Sequence, residues 1–289
     1  MCNIFKKLFG QKPEDVILPV KTEYSRRFYL GVGINTYPSA PLRGCVNDIE
    51  DFSNYLMSYK KFIKGDNMRL LVDERATKAA IIERLEWLVS NANENTICIF
   101  QYSGHGTQVP NRDEDGEIDG MDEVICPVDF NWSGNWISDD DLCDYADRIK
   151  RKGAVPVFVM DCCHSGTVLK DMPTFFDGKK SIISRFFPMP IDIAARVTNT
   201  IIRRTVIAEI NDNAVLVSGC QDAQTSADAF IEGRYNGALT KTMINLISVN
   251  PNYTYNELAA VLPAAVRAGG YSQTPSITGG ADLLEKIVF

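Results

Sequence analysis

Two hydrophobic periods alternate along the chain. Arg26 to Asn35, Met68 to Val72, Thr96 to Ser103, Val155 to Met160 and Ala214 to Ser218 are short apolar runs, several ending at glycine or polar residues. They have strand composition and are too short for typical helices. Between them lie stretches of helical spacing. Cys45 to Tyr59 places Val46, Ile49, Phe52, Tyr55 and Leu56 on one face, and Thr77 to Val89 turns Ile81, Ile82, Leu85 and Leu88 inward behind a Thr77 N-cap. An amphipathic helix follows Asp139-Asp-Asp141 to about Lys152, and further helices are expected over Gly237 to Ser248 and Tyr255 to Arg267. The last of these has Thr254 as its cap with Glu257 three residues on. The alternation of strand and helix predicts an α/β fold, a mostly parallel central sheet of about six or more strands with helices on both faces. Gln273 to Phe289 is expected to close the sheet, and Ala194 to Ile210 reads as helical.

The pattern divides the chain. Residues 1–25, with Pro13 and Pro19, read as an N-terminal arm; Met1 to Gly10 is basic and apolar but lacks the long apolar core of a secretory signal. Residues 26–289 read as one domain, with a larger half over 26–169, an irregular basic linker over 170–213 and a smaller half over 214–289. With 45% hydrophobic residues in 289, the chain can bury one sizeable core. A net charge of −7 argues against a broad nucleic-acid surface. No run approaches the roughly 18 apolar residues of a membrane span. Eight cysteines in so long a chain, several inside apolar runs, do not form a disulfide scaffold, and no CxxC pair suggests zinc. A reducing, cytoplasmic setting is the expectation.

Chemistry collects where two strands end. Val157-Phe-Val-Met-Asp161-Cys162-Cys163-His164-Ser165-Gly166 climbs to an acid and a cysteine pair, then turns. Residues two apart share a strand face, so Asp161 and Cys163 point one way and Cys162 the other. Cys163 is therefore the candidate nucleophile and Cys162 the packing residue. Only two histidines are available as a base. His164 directly follows Cys163 and faces away, whereas His105 closes the apolar run from Thr96. Parallel neighbouring strands would carry His105 and Cys163 to one sheet edge, a position where sites collect. There the imidazole can activate the thiol. The alternative is two buried cysteines and two structural histidines. Asp161 and Asp48 beside such a site would attract arginine or lysine, with bidentate geometry favouring arginine.

Tyr102-Ser-Gly-His-Gly-Thr-Gln108 and Asp161-Cys-Cys-His-Ser-Gly166 resemble the two catalytic motifs of the metacaspases, caspase-like cysteine peptidases. Leu42-Arg-Gly-Cys-Val-Asn-Asp48, Asp119-Gly-Met-Asp-Glu-Val-Ile-Cys-Pro-Val-Asp129 and Ser218-Gly-Cys-Gln-Asp-Ala-Gln-Thr-Ser-Ala-Asp228 agree with the family in the same order. The likeness is to a type I-like catalytic domain without a long prodomain. It implies a caspase-like fold and a cysteine endopeptidase that cleaves after arginine or lysine. His105 and Cys163 would form a catalytic dyad, and the substrate pocket would be Cys45, Asp48, Ser103 and Asp161. Backbone N–H groups at Gly106 and Cys163 would hold the oxyanion.

The acidic stretch 113–123 does not fit the EF-hand spacing, since Ile118 stands where glycine is required. Clustered carboxylates still suit a hard cation. The resemblance implies calcium at Asp122, Asp139 and Asp140, with a further aspartate past the nucleophile. Here that segment departs from the family pattern and reads Val168-Leu-Lys170-Asp171-Met-Pro173: a one-residue insertion would offer Asp171 as the fourth ligand, whereas Lys170 in the ligand position would oppose the ion. Calcium would act by ordering the acidic loop and not by chemistry. Self-cleavage in the linker is a further family property, with Lys179, Lys180, Arg185, Arg203 and Arg204 as candidate sites. The expected partners are protein or peptide substrates with Arg or Lys before the cut, acted on by a monomer. The alternative is a catalytically inactive caspase-like scaffold or regulatory protein, or a related protease of different preference.

Overall fold

The computed structural model describes residues 24–110, 121–163, 182–194, 213–220, 224 and 226–289. The apolar runs become β1 (Arg26–Gly33), β2 (Met68–Val72), β3 (Thr96–Ser103), β7 (Val155–Asp161) and β9 (Val215–Ser218). With β12 (Ser276–Thr278) they form one six-stranded sheet in the order β12-β9-β7-β3-β1-β2. All pairings are parallel except β9 with β12. Every residue of β3 is buried, which is why it reads as a continuous apolar run and not an alternating one.

The two faces of the sheet are covered by different helices. Ile97, Ile99, Val157, Val159, Val215 and Val217 pack with Phe52, Tyr55 and Leu56 of α1 (Cys45–Lys60). Met243 of α5 (Ala238–Val249) and Leu258 and Leu262 of α6 (Tyr255–Ala268) complete that layer. On the other face, Cys98, Phe100, Phe158, Met160 and Cys162 meet Leu85 and Leu88 of α2 (Lys78–Asn91) and Leu142 and Ile149 of α3 (Asp139–Arg151). Cys162 is thus a core residue, as its position in the strand predicts. The helix starts are also as expected: Thr77 accepts from the Ala80 N–H, and Thr254 and Glu257 form a reciprocal box. Ser138 and Asp141 form a second such box at the head of α3. Caps of this kind contribute roughly 1 kcal/mol each.

Two small antiparallel sheets add to this frame. One is β4 (Gly106–Pro110), β5 (Met121–Ile125) and β6 (Ile137–Ser138); the other is β8 (Ile182–Ser184), β10 (Ala227–Ile231) and β11 (Arg234–Gly237). Their polar content hides them from an apolar-run search. Glu232 and Gly233 between β10 and β11 both have positive φ, 51° and 92°, the signature of a tight primed hairpin turn. The C-terminus differs from expectation. Only Ser276–Thr278 joins the sheet, as an antiparallel edge; α7 (Ala281–Leu284) follows, and Phe289 is buried against Phe52. A short α4 spans Ile191–Ala194, and the rest of the helix expected to Ile210 lies outside the described residues.

Register brings the polar tips together. Gly33 pairs with Ser103, and Ser103 with Asp161. Strands β1, β3 and β7 therefore end on one line at the same edge. His105 lies two residues past Ser103 and Cys163 two past Asp161.

Candidate active site

Three buried carboxylates and one buried guanidinium meet at this edge. Asp161 ends β7, Asp48 lies in the first turn of α1, and Asp228 sits on β10; all are sealed from solvent. Between them lies Arg185, 0% exposed, from the segment following β8. Its Nη2 is 2.7 Å from Asp48 Oδ2 and 3.3 Å from Asp228 Oδ1, and its Nη1 is 3.2 Å from Asp161 Oδ1. Nη1 also donates to the Asp161 carbonyl at 3.1 Å.

Neighbouring donors hold each acid in place. Asp48 Oδ1 accepts from the Gly237 N–H at 2.9 Å and from Asn236 Nδ2 at 3.2 Å. Asp161 Oδ2 accepts from the Thr240 N–H and hydroxyl at 3.1 and 2.7 Å, in the first turn of α5, where the dipole favours a negative charge. Asp228 Oδ2 accepts from the Arg43 N–H at 2.8 Å. Three carboxylates around one cation leave an anionic excess in a dry pocket, and such charges are costly to bury unless paired. Burial pushes Asp48 up to about 7, against the opposing pull of Arg185.

Of the predicted pocket residues, Asp48 and Asp161 contact Arg185, and Cys45, the first residue of α1, feels its charge. Ser103 is buried beside Asp161 on the neighbouring strand, its hydroxyl unpaired. Sequence reasoning missed Asp228, although it closes the Ser218–Asp228 motif. It also missed Gly237. A Cβ at that position would collide with Asp161 Oδ2 and Arg185 Nη1, so only glycine leaves the pocket room.

The Arg185 carbonyl accepts from the N–H of Gly106 at 3.0 Å and of Cys163 at 3.4 Å. His105 is 1% exposed; its Nε2 lies 2.7 Å from the Ala40 carbonyl, and its ring packs against Tyr37 and Phe187. Donation from Nε2 to that carbonyl assigns the free lone pair to Nδ1, which is buried beside the Arg185 backbone. Burial lowers His105 to about 4, so the ring is neutral near pH 7. Cys163 is also sealed. Its sulfur meets the Ser226 N–H and lies beside the Cys220 thiol. Burial, and next Cys220, push the Cys163 thiol well up. No hydrogen bond joins Cys163 to His105 among the described residues, and both abut Arg185. Burial therefore favours the neutral thiol and the neutral imidazole over an ion pair.

The segment around Arg185 runs through the site as an added strand. Ile182, Ser184 and Ile183 pair antiparallel with Ala229, Ala227 and Asp228 of β10, and the Arg185 N–H donates to Ser226 O at 3.1 Å. Past Arg185, Phe186 bridges Gly106 in parallel, the Phe187 N–H donates to Gly106 O at 2.9 Å, and Thr107 Oγ1 donates to Phe187 O at 2.6 Å. Main-chain bonds on both sides of one anchored side chain are how extended peptides are bound by strand addition.

The pairing of Val124 with Ser138 carries Asp122 on β5 towards Asp139 and Asp140 at the head of α3. Asp139 is buried and Asp140 exposed. Among the described residues no group of three or more His, Cys, Asp or Glu side chains converges to hold a metal ion. Asp171, Lys170 and His164 lie outside the described residues, as do Lys179, Lys180, Arg203 and Arg204. Among the described residues, the cysteines at 45, 98, 126, 143, 162, 163 and 220 form no disulfide. No helix among the described residues is long and apolar enough to cross a membrane.

The family model "Metacaspase, peptidase C14 domain" matches residues 29–173. Metacaspase-1 of Candida glabrata is 32% identical over 93% of this chain and 80% of its own length. Metacaspase-1B of Aspergillus oryzae is 31% identical over 91% of this chain and 70% of its own. A solved structure from Geobacter sulfurreducens shares the fold, with a TM-score of 0.63 and 24% identity, covering 91% of this chain and all of the other. The chain belongs to the metacaspase family of cysteine peptidases.

Proposed function

We propose that this chain is an endopeptidase that cleaves after arginine or lysine and holds its own Arg185 in the site as a first substrate. One observation carries the reading. The Arg185 guanidinium lies among Asp48, Asp161 and Asp228 while its carbonyl faces the N–H groups of Gly106 and Cys163. A basic side chain in an acidic pocket and a carbonyl on two convergent donors are the two halves of an acyl-transfer geometry.

The chemistry follows from the neutral pair. Cys163 turns its sulfur from Ser226 towards the carbonyl and passes its proton to Nδ1 of His105, whose free lone pair makes it the base. The thiolate adds to the carbonyl carbon, and the two N–H groups take the developing negative oxygen. Nδ1 then returns the proton to the departing amide nitrogen, that of Phe186 in the self-reaction. Water, deprotonated by the same nitrogen, releases the acid and restores the thiol. The Ala40 carbonyl holds Nε2–H throughout and keeps the ring in the required tautomer.

Calcium activation is part of the proposal. Asp122, Asp139 and Asp140 carry the hard oxygen donors that calcium takes, but they do not by themselves converge on one point among the described residues, so the proposal depends on Asp171 and on the acids drawing together when the ion binds. When bound, the ion would supply structural order, and no chemical step runs through it.

The test is hydrolysis of matched fluorogenic peptides ending in Arg, Lys or Asp, with millimolar calcium and with chelator, beside Cys163→Ala. Arg and Lys turnover that is lost in the variant supports the reading. Cleavage after Asp contradicts the pocket assignment, and turnover indifferent to chelator removes the calcium.

A further inference from the structure

The acidic pocket accounts for one side of the Arg185 peptide bond, and a second recognition element lies on the other side. Phe187, two residues beyond Arg185, places its ring in an aromatic box. The ring centroids of His105, Phe130, Trp132 and Tyr37 lie 5.2, 5.5, 6.2 and 6.3 Å away. Phe130 and Trp132 also pack edge to face at 5.0 Å. These distances are the range in which aromatic pairs attract beyond simple burial.

The box is built on a fixed loop. Phe130 and Trp132 belong to the connection between β5 and β6, and this connection is pinned at several points. The Val128 N–H donates to Ala76 O at 3.0 Å, the Lys78 N–H to Asp129 Oδ1 at 2.9 Å, and Asn135 Nδ2 to Asp129 O at 2.6 Å. Phe130 and Trp132 are half-buried, with Phe187 packed against both. The backbone of Phe187 is held on both its N–H and its carbonyl, so its ring is directed and not incidental.

We propose that this box is a primed-side specificity site: substrates with an aromatic residue at the second position after the cleaved bond are preferred, and Phe130 and Trp132 set that preference. The inference rests on Arg185 marking the position before the cut. The main-chain bonds at Gly106 and Thr107 fix the register of any substrate on this side, and the box reads the side chain that register delivers. His105 forms one wall, so an aromatic residue there also shields the base from water. Small or acidic side chains at the same position leave Phe130 and Trp132 wet.

The test uses quenched peptides identical except at the second residue after a single arginine, with Phe, Leu, Ala or Glu there. It compares the full-length chain with its Phe130→Ala and Trp132→Ala forms. The Phe-to-Ala ratio of kcat/KM is read within each protein, so the extent of activation cancels. Burying most of an aromatic ring predicts a ratio of about tenfold or more in the parent chain. The ratio falls towards one in both variants. A flat profile in the parent chain, with arginine peptides still cleaved, overturns this inference and spares the proposed activity. Failure to cleave any peptide after arginine overturns both.

Discussion

Asp48→Asn tests the pocket at its shortest contact. The substitution preserves shape and removes one charge. In the parent, Oδ2 meets the guanidinium at 2.7 Å while Oδ1 accepts from the Gly237 N–H. An asparagine that keeps the second bond must turn its NH₂ towards the arginine, donor against donor. Breaking a buried pair outright costs roughly 3–5 kcal/mol and losing a charge-assisted bond roughly 1.5–3. Asp161 and Asp228 still face the cation, so the lower range applies, about 2–3 kcal/mol. That corresponds to a fall of about 30- to 150-fold in kcat/KM for arginine peptides. The pH profile carries a second signature. Burial raises Asp48 to about 7, so its carboxylate loses charge as the pH falls through that value. Arginine turnover in the parent should weaken on that limb, and the variant should lose the limb. Steady-state kinetics from pH 5.5 to 8.5, with thermal melts to confirm folding, measure both. A folded variant within threefold of the parent at every pH would refute the pocket as described.

Three further outcomes are expected. Gly237→Ala puts a methyl into space held by Asp161 and Arg185, so arginine turnover should drop at least as far as in Asp48→Asn, and self-cleavage with it; unchanged kinetics would place the pocket elsewhere. Thr240→Val removes the hydroxyl bonded to Asp161 at 2.7 Å and should cost about tenfold in kcat/KM for arginine, mostly through KM, which a peptide titration would detect. His105 binds its proton at about 4 in the folded chain and near 6.5 when unfolded, so folding stability is complete above the unfolded value and lost as pH falls towards the folded one. Urea melts at pH 7 and pH 4.5 should show the parent losing about 2 kcal/mol more than His105→Gln, and equal losses would contradict a buried neutral ring.

Much of this was legible in the sequence because the central strands and their helices are dictated by burial. The period-2 argument at Val157–Cys163 separated Cys162 from Cys163 because both faces of β7 are covered, so each side chain had one place to go. Thr77 and the Thr254–Glu257 box were readable for a similar reason, since a cap is local chemistry. The hairpin β10–β11 was not, because Asp228 and Asn236 are buried polar residues whose partners are distant in sequence. Gly237 was silent for the same reason: what it must leave empty is set by Asp161 and Arg185, 76 and 52 positions away. Arg185 stood among five basic candidates in the linker, and only the tertiary pairing of β8 with β10 singles it out.

The most direct test of the central claim is the mass of the protein's own fragments. Purified chain, incubated with calcium and followed by intact mass spectrometry, should yield one new C-terminus at Arg185 and one new N-terminus at Phe186. Cys163→Ala should stay whole, and Arg185→Ala should lose that cut. A parent chain that stays whole while cleaving arginine peptides, or that is cut elsewhere with Arg185–Phe186 intact, would contradict the reading of Arg185 as a substrate already in place.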